Sequence, residues 1–156
     1  MNKTALQFFG FALLLVFVGA GAVWGIDYYQ KIHSPEYQTE LKMRELEARA
    51  RADTYGGSTP EETLALFIDA LKRGDIDLAS KYFVVDEWEK KNIELRKGKE
   101  QGSLEKITTI LEKVNYPTKY SDGSYELSIV EKDNSIKFGV HFVLNNFTNK
   151  WKILEL

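Results

Sequence analysis

Cysteine is absent from the 156 residues, which excludes disulfides, thiolate metal ligands and lipid attached through a cysteine. A cysteine-free chain suits either side of a membrane, so the absence does not name a compartment. Histidine occurs twice, as His33 and His141, which leaves little imidazole for a metal centre or a proton shuttle. No nucleophile elbow, phosphate-binding loop, zinc motif or dinucleotide fingerprint is present, and no cofactor, metal or catalytic residue is assigned. Charge of one sign is lacking too. The net charge is -2 with acidic and basic residues interleaved, so there is no basic tract for nucleic acid and no acidic tail for a basic partner. Internal repeats and low-complexity tracts are missing. With 44% hydrophobic and 28% charged residues, the composition is that of an ordinary folded domain with an appendage.

One long apolar run is present. Leu6 to Ile26 carries no charge between Lys3 and Asp27, and its length suits a bilayer core, which takes about 20 residues. Trp24, Tyr28 and Tyr29 stand where an interfacial aromatic belt would lie. The run exceeds the roughly 7 to 15 apolar residues of a secretory leader, which favours a retained anchor in the lipid bilayer. The rival reading is secretion after cleavage near Ala22, with Ala20-Gly21-Ala22 as the small-residue site. Residues 1–27 are therefore read as a membrane anchor. Lys3 ahead of the run points to a cytoplasmic amino terminus and an extracytoplasmic C-terminal domain.

Residues 28–57 read as a juxtamembrane stalk and linker. Ser34 and Pro35 start a helix, and Glu36 to Asp53 is rich in helix formers. Glu40/Arg44, Glu45/Arg49 and Glu47/Arg51 are i,i+4 pairs in the favourable order. Apolar residues are sparse here, so an exposed stalk is expected, with a short self-associating coiled coil through Leu41 and Leu46 as the alternative. Thr54-Tyr55-Gly56-Gly57-Ser58 reads as a flexible joint.

The domain, residues 58–156, is organised around Thr59 to Phe83. Thr59 caps a helix, Pro60 takes its first position and Glu62 can close a capping box. Leu64, Phe67, Ile68 and Leu71 share one helical face, and Gly74 ends the helix after Lys72 and Arg73. Asp75 or Asp77 caps a second short helix. Asp86 is the expected cap of a polar helix through Lys97, and Ser103 of a helix with Leu104, Ile107, Leu111 and Val114 on its buried face. Pro117 forbids its continuation. From Tyr116 the period becomes alternating: Tyr125, Leu127 and Ile129 in one strand, Ile136, Phe138, Val140, Phe142 and Leu144 in a second, and Trp151 to Leu156 as a third. Helices followed by strands predict an α+β fold, with helices packed on a three- or four-stranded antiparallel sheet.

Thr59-Pro60-Glu61-Glu62, the apolar stripe after it, the Arg73-Gly74-Asp75 turn, Tyr82-Phe83 and the closing Trp151-Lys152-Ile153 resemble small bacterial domains of the nuclear transport factor 2-like (cystatin-like) superfamily. The resemblance covers Ser58 to Leu156 and implies a fold that hosts enzymes, ligand binders and assembly subunits alike. Catalytic members of that superfamily carry an acid or a His/Asp pair inside the cone between helices and sheet. Here Asp69 projects away from the apolar face of its helix, and His141 alternates out of the face holding Val140 and Phe142. General acid–base work needs a titratable group held in the pocket, so the expectation is a non-catalytic binding or adaptor domain at the membrane. A subunit of an envelope transport or secretion assembly is one alternative, and a small cyclase or isomerase is the other. A shallow apolar cleft is expected between the Thr59–Leu71 helix and the Ile136–Leu144 strand, with Phe67, Tyr82, Phe138 and Trp151 as candidate lining residues.

Overall fold

Ser34 and Pro35 start a helix as expected. In a computed structural model, which describes residues 24–26, 28–131 and 136–156, helix α1 runs Pro35–Ala52 and the Tyr37 amide donates to Ser34 Oγ at 3.2 Å. The chain divides into two compact units, Met1–Glu45 and Leu46–Leu156. In the first, residues 24–26 and 28–32 are helical, and Trp24, Tyr28 and Tyr29 are exposed. The apolar run Leu6 to Ile26 lies outside the described residues except at its end. Among the described residues no helix is long and apolar enough to cross a membrane. The Lys132–Ser135 turn also lies outside them.

The second unit opens with the end of α1. Glu47 and Arg51 make their i,i+4 pair at 2.7 Å, but Arg49 turns to Glu89, 2.8 Å away, instead of Glu45. The following segment is bonded into the unit and does not serve as a loose joint. The Trp151 amide donates to Gly57 O, the Gly57 amide to Thr63 Oγ1, and Lys152 Nζ to Tyr55 O. A Cβ at Gly56, where φ is +111°, would overlap Trp151 O, so both the backbone angle and the close approach require glycine there.

Helix α2 is Pro60–Lys72, capped by Thr59 Oγ1, which accepts from the Glu62 amide at 3.1 Å. The return bond differs from a capping box: Glu62 Oε2 accepts from the Ser58 amide at 2.6 Å, one residue before the cap. Gly74 has φ +67° and turns the chain into α3, Ile76–Lys81, capped by Asp75. Helix α4 is Trp88–Glu100. It begins after Glu87 with no side-chain cap, so Asp86 does not serve as one. Helix α5 is Leu104–Leu111. Ser103 Oγ donates to Gly98 O at 3.0 Å, so it ties α4 to the turn and does not cap α5.

Four antiparallel strands follow in the order β1-β2-β3-β4: Tyr116–Lys119, Tyr125–Val130, Ile136–Asn145 and Lys150–Glu155. Strand β1 is the one the alternation does not announce. It is four residues long, carries Pro117 and is largely exposed. Leu127, Val140, Phe142 and Ile153 face the helices and meet Leu64, Phe67, Leu71, Phe83 and Leu111 in one core. Phe67 and Phe83 pack edge to face with centroids 5.3 Å apart, an arrangement that adds to their area burial. Beyond β4, the Ile153 amide donates to Tyr82 O and the Val84 amide to Ile153 O, so Phe83 adds a parallel bridge to that side of the sheet.

Candidate functional site

The four residues expected to line a cleft are placed in or against the core. Phe67 is fully buried, Tyr82 nearly so, and Phe138 and Trp151 pack on the core from its edge. Burial raises the Tyr82 phenol above the usual tyrosine range, which keeps it neutral. Three surface clefts are lined by other residues.

The first cleft, about 370 Å³, lies between α3 and α4 against Asp77, Ser80, Lys81, Trp88 and Asn92. Its polar groups are mutually engaged. Asn92 Nδ2 donates to Asp77 Oδ1 at 2.8 Å, and Arg96 pairs with the same oxygen at 2.6 Å. Lys81 Nζ sits 3.9 Å over the Trp88 ring, and Trp88 Nε1 donates to Phe83 O. The second cleft, about 270 Å³, opens between α2, α5 and β2. Leu64, Ile68, Leu111, Val114 and Leu127 make it apolar, and Glu61 and Glu112 stand on it. Burial would raise the pKa of Glu61, but hydrogen bonds from its own backbone amide, the Tyr125 hydroxyl and Thr59 hold it below the ordinary carboxylate value. Glu61 is therefore ionised. Glu112 pairs with Lys72 at 2.5 Å in a half-exposed contact of the kind that contributes little.

The third cleft, about 280 Å³, has Ala50, Val84, Val85, Val143 and Phe147 as apolar walls, with Asp53 and Lys152 beneath them. Asp53 and Lys152 form a buried ion pair at 2.7 Å. Asp53 Oδ2 lies outside the angular range of a directed hydrogen bond from Lys152, while Oδ1 accepts from the Tyr55 amide at 3.0 Å. Lys152 Nζ also donates to Lys81 O at 2.6 Å and Tyr55 O at 3.1 Å. Burial pushes the Lys152 ammonium below the usual lysine range, and the Asp53 carboxylate beside it acts against that. With two carbonyls and a carboxylate around it, the nitrogen has no free lone pair to offer a substrate. It fastens α3, β4 and the segment after α1 together.

A further polar cluster lies on the sheet face turned away from the core. Glu126 is buried. It accepts a short hydrogen bond from the Tyr120 hydroxyl, and His141 Nε2 lies 3.5 Å from it across the β2–β3 pairing. Tyr120 and His141 have nearly parallel rings, and the bond to Glu126 raises the Tyr120 phenol above its usual range. His141 is on the outer face as its alternation predicts. Glu126 was not foreseen, since alternation alone reads it as solvated. The available signal was Gly139, a glycine inside a strand pattern, which marks a close approach. A Cβ there would overlap Glu126 Oε1. None of the three clefts includes this cluster.

Among the described residues no group of three or more metal-ligating side chains gathers. In comparisons with known proteins, no family model, curated protein or solved structure matches this chain.

Proposed function

We propose that the chain is a membrane-anchored, extracytoplasmic, non-catalytic binding or adaptor domain of nuclear transport factor 2-like kind, carried on the helical segment α1. The observation that carries the reading is the filled interior. The side chains between helices and sheet include Phe67, Phe83, Val140, Phe142 and Ile153, all fully buried, and the titratable side chain of that cluster is the Tyr82 phenol, which burial keeps neutral. The buried charged groups lie away from that interior: Asp53 and Lys152 engage each other and backbone, and Glu126 engages the Tyr120 hydroxyl and His141. A domain so built offers surfaces, and its apolar Leu6 to Ile26 run would hold those surfaces at a bilayer.

Placement is tested by adding protease to intact spheroplasts of a bacterial host expressing the full chain. Loss of the C-terminal domain without lysis is expected, and protection of that domain would reverse the orientation. The binding role is tested in the same cells by a photo-crosslinking residue at exposed positions such as Ile93 and Phe147. A reproducible adduct of defined mass is expected. Absence of adducts from every exposed position would remove the adaptor reading.

A further inference from the structure

We infer that the cleft between α2, α5 and β2 is a docking pocket for one apolar anchor side chain of a partner protein, flanked in that partner by basic residues. The inference rests on the binding role proposed above and names the partner's chemistry. Size decides the first half. At about 270 Å³ the cleft falls below the roughly 300–1,000 Å³ of pockets that engulf a drug-sized ligand. It suits instead the single buried anchor on which protein interfaces concentrate their affinity. Its floor is Leu64, Leu111, Val114 and Leu127, and Ile68 completes the wall.

Charge decides the second half. Glu61 and Glu112 both stand on the cleft, and Glu61 is kept ionised by the hydrogen bonds it accepts. Lys72 offsets Glu112, but both side chains are about half exposed, so a partner's ammonium or guanidinium can compete for that carboxylate at little cost. The rim then carries net negative charge and opposes an acidic partner. Asn115 adds an amide at the same site. Ala65, exposed on α2, lies at the mouth and leaves it open.

The test uses the full-length, isotope-labelled chain and three capped pentapeptides: Gly-Lys-Phe-Lys-Gly, Gly-Glu-Phe-Glu-Gly and Gly-Lys-Ala-Lys-Gly. Amide shifts confined to Ala65, Ile68, Leu111 and their neighbours are expected with the first peptide. It should bind about three- to tenfold more tightly than the acidic one, a preference that high salt removes. The alanine peptide should bind more weakly still. Glu61→Gln/Glu112→Gln should abolish the charge preference while keeping the anchor preference. Ala65→Phe, at an exposed helix position that leaves the core untouched, should block binding of all three. Equal affinity for the basic and acidic peptides overturns the inference, as does indifference to Ala65→Phe. Shifts that appear only at a distant surface overturn this pocket and leave the adaptor role standing. Cell-based crosslinks mapping elsewhere do the same, whereas their complete absence removes the adaptor role itself.

Discussion

Gly139 shows what one residue without a side chain accomplishes. Glycine weakens a strand interior, because it brings no side chain to pack and gives up more backbone freedom on folding. Here the vacancy is occupied by the Glu126 carboxylate, which the Tyr120 hydroxyl then meets. Gly139→Ala should therefore destabilise the domain by about 1–3 kcal/mol, as overpacking does. Chemical denaturation would measure it. In a Glu126→Ala background the same substitution should cost much less, since the atom it strikes is gone. Additive penalties in that double-mutant cycle would show that the two residues do not share the space. Alternation leaves Gly139 and Glu126 opposite the face of Leu127 and Val140, but it does not pair them, because the β2–β3 register that brings them together is a property of two strands and not of either one.

Among the elements, helices were the more legible. Thr59, Ser34 and Asp75 act locally, each accepting from the amide three residues on, and Pro60 takes the first helical position as expected. Asp86 and Ser103 show the limit: Asp86 stands one residue before the N-cap of α4, and Ser103 stands at the N-cap of α5 while its hydroxyl donates to Gly98 O and makes no cap bond. Strand β1 was illegible because four residues, three of them exposed, carry no alternation to read. The residues named for a cleft were ambiguous for a related reason. Phe67 and Trp151 are large enough to line a pocket or to fill it, and only the depth of packing distinguishes the two. The Lys152 tie was also hidden, since its partners lie 71 to 99 positions earlier in sequence. Lys152→Met should cost about 3–5 kcal/mol, because it strands the Asp53 carboxylate in the interior. Asp53→Asn/Lys152→Met should be more stable than Lys152→Met alone, since the stranded charge is then removed. Thermal unfolding of the three chains checks the order, and a double variant no better than the single would assign the loss to packing of the lysine stem.

For the whole molecule, acid is the weak direction. Hydrogen bonds and ion pairs hold the carboxyls of Glu61, Asp77, Glu87, Glu89 and Asp122 below the ordinary values of 4.5 for Glu and 3.8 for Asp. The unfolded chain takes up those protons sooner. The stabilisation is thus complete above the ordinary values and is lost as pH falls through the lowered ones. Most of these groups are exposed, so each contribution is small and salt-sensitive. A melting temperature that falls by several degrees between about pH 5 and pH 3 is expected, and a flat profile would contradict it. The position of β4 has a different consequence. Strand β3 flanks it on one side and Phe83 on the other, and groups at Tyr55, Gly57, Thr63, Lys81 and Tyr82 bond to it. Helices that leave the ribosome early therefore meet a sheet that lacks its last strand until Lys150–Glu155 emerges. Until that strand emerges, the core lacks Ile153 and the Phe83 bridge lacks its partner, so closure of the domain comes late in synthesis.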